Sequence, residues 1–232
     1  IKRAGDQLQA ARKKAEAAMQ ITGTDIAIAS EGTFGAHPQN PLMQSNLELV
    51  LLIDKKNNLE IKGHHRTAQT NLNSALVSSV PEALKIAEEW GFPENGIIVR
   101  KGEKGKLWIY KDIDSFEQLE RQVSQMLKWP FTNQVFLETD MRAHCNPSRM
   151  KVIGELAAML ADRLTAHCPK CSTPGWGKVR VQKGLECSWC STETDMIKYE
   201  IFGCAKCTYE QSVERSDGLK RADPGNCNYC NP

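Results

Sequence analysis

Four Cys-x-x-Cys pairs close this chain: Cys168 with Cys171, Cys187 with Cys190, Cys204 with Cys207 and Cys227 with Cys230, separated by fifteen, thirteen and nineteen residues. Each pair is a knuckle offering two thiolates, and two knuckles complete a tetrahedron, so eight ligands imply two zinc ions in a double zinc ribbon over residues 167–232. A disulfide framework is the competing account. It needs an oxidising compartment that nothing else in the sequence supports, and a redox Cys-x-x-Cys would not come in four copies. Four thiolates close the coordination sphere and leave no position for water, so both ions read as structural, giving folding energy to a segment with little apolar core. Sequential pairing, first knuckle with second and third with fourth, is the simplest arrangement, and the spacing leaves an interleaved one open. The ninth cysteine, Cys145, stands beside His144 and reads as a free core or surface thiol rather than a nucleophile.

Charge bears on what the ribbons could touch. From His167 to Pro232 there are nine Lys and Arg against eight Asp and Glu. Each four-thiolate zinc adds about two negative charges, which leaves the tail near −3, the wrong sign for gripping phosphates. Trp176, Trp189, Tyr209 and Tyr229 could stack bases, but aromatics beside knuckles more often pack on the ligand cysteines, so a protein contact is favoured over nucleic acid. The whole chain of 232 residues carries a net charge of only +2. No run of eighteen apolar residues and no signal-peptide pattern occurs, which points to a reducing cytoplasm and away from a membrane.

Ahead of the ribbons, residues 1–166 read as a mixed α/β (or α+β) domain. Lys2–Gln20 is a helix with a narrow stripe of small apolar residues, and it opens without a visible cap, which suggests an upstream segment. Asp25–Ala29 is a short strand running into the glycine turn Ser30–Pro38. Asn46–Asp54 is the most apolar strand and forms a hairpin with Leu59–His65 through the turn at Lys56, Asn57 and Asn58. Asn71–Ser79 reads as irregular, and Pro81–Trp90 as an amphipathic helix. Gly96–Arg100 and Lys106–Tyr110 read as strands joined by a hairpin turn rather than a phosphate loop, since no Walker spacing is present. A helix starts at a capping sequence around Ser115 and runs to about Lys128; Val135–Leu137 is a buried strand, and the final helix runs from Pro147 to about Ala166.

The densest chemistry lies in Val135–Met150, VFLETDMRAHCNPSRM. A strand tip hands over to a helix opened by Asn146 and Pro147, and Glu138, Asp140, Arg142 and His144 fall between them. Sites of open α/β sheets form at such strand ends. Together with Glu31, Asp54, His65, Arg66 and Arg149, these residues suggest a metal-dependent hydrolase or transferase acting on a nucleotide or other phosphorylated small molecule. Glu31, Asp54, Glu138 and Asp140 would hold Mg²⁺ or Mn²⁺; Arg66, Arg142 and Arg149 would bind phosphate; His65 or His144 would act as general acid or base. The alternative is a non-catalytic adaptor whose ribbons contact a partner.

The segments SEGTFGAHP, NLELVLLIDKKNNLEIKGHHRT, GFPENGIIVRK and VFLETDMRAHCNPSRM, with the tail elements CPKC, GLECSWC, CAKC and ADPGNCNYCNP, resemble a bacterial family of uncharacterised proteins known only as a domain of unknown function. In that family the first motif usually reads SEGSFGPHP and further sequence precedes the position of Ile1. The resemblance implies no activity. A fainter one does: ARKKAEAA followed by a strand and Glu31-Gly32 is similar to the inosine/xanthosine triphosphate pyrophosphatases, which implies a metal role for Glu31; the likeness reaches Arg12 of the basic helix and no further residue.

Overall fold

The computed structural model describes residues 6–37, 40–102, 108–129 and 133–232. Its first sheet is built from β1 (Ile26–His37), β2 (Asn40–Asp54) and β3 (Leu59–Thr67), antiparallel throughout with β2 in the middle. The apolar run in β2 follows from burial on both faces. Leu49 and Leu51 pack on Ala11 of α1 (Gln7–Thr22), while Val50 and Leu52 pack on Leu156 and Leu160 of α4 (Pro147–Thr165). Successive side chains of a strand point oppositely, so a central strand between two helices must be apolar at both parities.

The second sheet has the order β4-β7-β5-β6, from β4 (Ser74–Val77), β5 (Ile97–Lys101), β6 (Trp108–Ile113) and β7 (Val135–Thr139). One of its faces, with Val99, Val135 and Leu137 fully buried, packs on α2 (Val80–Glu89) and α3 (Phe116–Leu127). Lys101 is buried, and its ammonium donates to the Met126 and Trp129 carbonyls at the end of α3, where a cation meets the negative pole of the helix. Residues 103–107 of the expected basic turn lie outside the described residues.

The third sheet, β10-β9-β8, belongs to the tail: β8 (Gly177–Lys183), β9 (Ile197–Gly203) and β10 (Glu210–Glu214). It docks on the first sheet. Ala205 joins the cluster of Val50, Ile61 and Leu156, and Arg163 on α4 donates to the carbonyls of Gly175 and Lys62.

Several local expectations change. α1 does have a cap: Asp6 accepts from the Gln9 amide at 2.8 Å. The glycine stretch after Ala29 is no turn, since β1 continues without a break through Ser30 to Ala36 in register with Gln44–Val50. Asn71–Ser79 is not wholly irregular, because β4 pairs with β7. Among the described residues the fold is α+β, with four α-helices and antiparallel pairing between all neighbouring strands of its sheets.

Candidate metal centres and active-site cavity

The eight tail cysteines gather into two groups, Cys168, Cys171, Cys204 and Cys207 in one and Cys187, Cys190, Cys227 and Cys230 in the other. The pairing is therefore interleaved, first knuckle with third and second with fourth, and the sequential arrangement is wrong. Sulfur separations across knuckles are 3.6 and 3.8 Å in the first group and 3.6 and 3.9 Å in the second. A tetrahedron with zinc–sulfur bonds of about 2.3 Å has edges of about 3.8 Å, so both groups have the size zinc requires. Backbone amides help hold the charge, with Trp189 donating to the Cys187 sulfur and Lys206 and Cys207 to that of Cys204. Among the tail aromatics, Trp176 and Tyr209 stack on each other at 5.5 Å, whereas Trp189 and Tyr229, both in knuckles of the second group, stand exposed.

The candidate active site is a cavity of about 460 Å³ between the first two sheets. Glu31, Gly32 and Phe34 of β1, Lys13 and Lys14 of α1, and Arg149 of α4 line one side; Ile98 of β5, Glu138 and Thr139 of β7, and Asp140–Arg142 line the other. The handover from β7 to α4 positions the acidic wall. β7 ends at Thr139, a single 3₁₀ turn spans Ala143–Cys145, and fully buried Asn146 caps α4 by accepting from the Arg149 amide at 3.0 Å while donating to the Asp140 carbonyl.

Every carboxylate of the cavity meets a cation. Lys14 lies 2.5 Å from Glu31, Arg100 bonds Glu138, and Arg142 grips Asp140 through Nε and Nη2 while also reaching Asp112 at 2.6 Å. Burial pushes the Glu138 carboxyl up, aided by the charge of Asp140 and opposed by Arg100. Burial also raises Asp140, but hydrogen bonds from the Arg142 side chain and backbone outweigh it and hold this carboxyl below the usual range.

Sequence reasoning passed over Glu48, which is fully buried in β2 and paired with Arg149 at 2.8 Å. All three kinds of Arg149 donor are engaged: Nε and Nη2 on Glu48, and Nη1 on the Met141 carbonyl. Arg149 thus clamps the cavity floor rather than waiting for a phosphate. Gly32 makes room for this clamp, since a Cβ there would stand 2.6 Å from Glu48 Oε2 and 2.7 Å from Arg149 Nη2. A lone carboxylate inside NLELVLLID was the available signal, because a charge in a doubly buried strand requires a partner.

Of the nine expected site residues, Glu31, Glu138, Asp140, Arg142 and Arg149 line the cavity and Asp54, His65, Arg66 and His144 do not. Asp54 accepts from the amide and side chain of Asn57 in the β2–β3 turn, which lowers its pKa, and sits six residues from Glu48, about 20 Å along the strand. His65 is exposed on edge strand β3, and Arg66 donates to the Ser45 hydroxyl. His144 is exposed on the 3₁₀ turn, with Asp112 and Cys145 as close neighbours. Arg12 is bound bidentately to Glu60, tying α1 to β3.

Fold and sites together define an α+β protein whose C-terminal region holds two four-cysteine groups that fit a double zinc ribbon. Residues 14–232 match the model of a domain of unknown function (DUF6671), and the chain belongs to that family. Neither a search of curated proteins nor one of solved structures found a match. Among the described residues no helix is long and apolar enough to cross a membrane.

Proposed function

We propose that the cavity between the first two sheets binds a phosphorylated small molecule, a nucleotide being the leading candidate, and hydrolyses or transfers its phosphoryl group with a divalent cation. One observation carries this reading: Glu31, Glu138 and Asp140 line a single cavity together with Lys13, Lys14 and Arg142. Three carboxylates are the hard oxygen donors that Mg²⁺ or Mn²⁺ takes, and such an ion would polarise the phosphoryl group and activate water there. Lys13, Lys14 and Arg142 would receive the substrate's phosphates. Among the described residues no imidazole lines the cavity, so the proton-accepting role passes to Glu138, whose raised pKa suits it. The test is a hydrolysis screen of nucleoside phosphates with Mg²⁺ or Mn²⁺. Turnover that Asp140→Ala abolishes and Glu138→Gln sharply reduces supports the proposal, and turnover indifferent to both overturns it.

Exposed Trp189 and Tyr229, together with the complete ion pairing of the cavity carboxylates, favour a second reading in which the protein is an adaptor and the ribbon tip meets a protein partner. Binding of a nucleotide without turnover under any metal would support it.

A further inference from the structure

A second cavity, of about 610 Å³, separates the tail from the body. Its walls are α4, through Leu156, Met159, Leu160 and Arg163, and two sheet edges: β3 is the last strand of β1-β2-β3, and β8 the last of β10-β9-β8. Consecutive residues of each line it, Lys62 to His64 and Trp176 to Val181, as happens when a strand presents its rim rather than a face. The Lys62 carbonyl accepts from Arg163 at 2.7 Å, so the backbone groups of Lys62 point away from β2, and alternation directs those of His64 the same way. Lys62, His64, Arg163, Lys178 and Arg180 contribute to the lining, and among the described residues no carboxylate does. Glu200 and Glu210 pair with Lys178 and Arg180 from neighbouring strands. Positive charge still dominates the space: burial and then the charges of Lys62, Lys178 and Arg163 hold the His64 imidazole below its ordinary pKa. Met159 and Val181 supply exposed apolar surface on opposite walls.

We infer that this cleft receives an extended acidic peptide of a partner protein, added as a strand to the rim of β3 or β8, with its carboxylates on the lysine and arginine side chains. Such a peptide satisfies strand-edge N–H and C=O groups together and places acidic and apolar side chains alternately, which the mixed lining requires. A single-stranded nucleic acid fits less well. It cannot complement edge carbonyls in the same way, and the aromatic of the cleft, Trp176, already stacks on Tyr209.

The experiment is fluorescence anisotropy on the full zinc-loaded chain with a fluorescein-labelled octapeptide of alternating Glu and Val. Controls are the Lys/Val counterpart, the Glu/Val peptide N-methylated at alternate residues, and octathymidylate. Binding of the acidic peptide alone is expected, weakened about tenfold or more by Lys62→Glu and by Lys178→Gln, with two zinc ions per chain retained in each variant. No binding, equal binding of the N-methylated peptide, stronger binding of octathymidylate, or indifference to both variants overturns the inference. Slower exchange of the His64 amide in the complex would place the added strand on β3, and unchanged exchange would place it on β8.

Discussion

From Gln7 to Thr165 the chain buries apolar side chains in three clusters, with Leu51, Leu137 and Leu156 almost wholly withdrawn from water. From His167 onward the buried apolar residues are Leu185, Ile201 and Ala222, and the cysteines Cys168, Cys187 and Cys227 share their company. The first region can be held by transfer of hydrocarbon from water, which scales with area. The second has less such area, and zinc ions held by its two four-cysteine groups would add metal–thiolate bonds made only when the chain is folded. The two regions should therefore fail under different insults, and among the described residues their seam includes Ala205, Arg163 and Gly175, the last lying against Ile61.

The sharpest attempt to break this contrast is Cys187→Ser. Zinc stoichiometry by mass spectrometry should fall from two to one per chain, with loss of the order of 10 kcal/mol of metal-linked folding energy at that site. The near-UV circular dichroism of the tail should collapse while far-UV helix signal persists. Glu48→Ala should do the reverse, leaving zinc content at two and lowering body stability in urea by about 3–5 kcal/mol, because it strands the buried Arg149 charge. Leu137→Ala should cost about 2–5 kcal/mol in the same measurement by opening a cavity under α2 and α3, again without metal loss. The smallest effect belongs to pH. Asp140 has its pKa lowered on folding, so it contributes stability that is complete above the ordinary carboxylate value of about 3.9 and lost as pH falls through the lowered value. Asp140→Asn should make the acid limb of the urea-midpoint profile shallower, with little change near neutrality.

How much could be read beforehand differs between the regions for physical reasons. In the body, β2, β3, α2, α3 and α4 announce themselves because periodic burial writes periodic hydrophobicity, and Ser115 and Asn146 mark helix starts through their side-chain caps. The extension of β1 past Ala29 was hidden, because Gly32 looks like a turn residue when it is there to admit Glu48 and Arg149. In the tail the ligands were plain and their partnership was not. All four knuckles share one spacing, and only the antiparallel sheet brings the third back to the first. The cavity was half legible: charges flanking a helix start could be found in sequence, but Asp54 and Arg66 are carried to other stretches of the same hairpin by strand register.

The interleaving of the knuckles also sets an order of manufacture. A ribosome releasing this chain delivers Cys168, Cys171, Cys187 and Cys190 before either ion has its full complement; the first ion's set is complete only with Cys207 and the second's only with Cys230. Each nascent half-set is a chelator in waiting: the first knuckle meets the second before its partner the third, and the second meets the third before its partner the fourth. Correct loading thus requires a bond to the first arrival that can still be exchanged when the later partner appears.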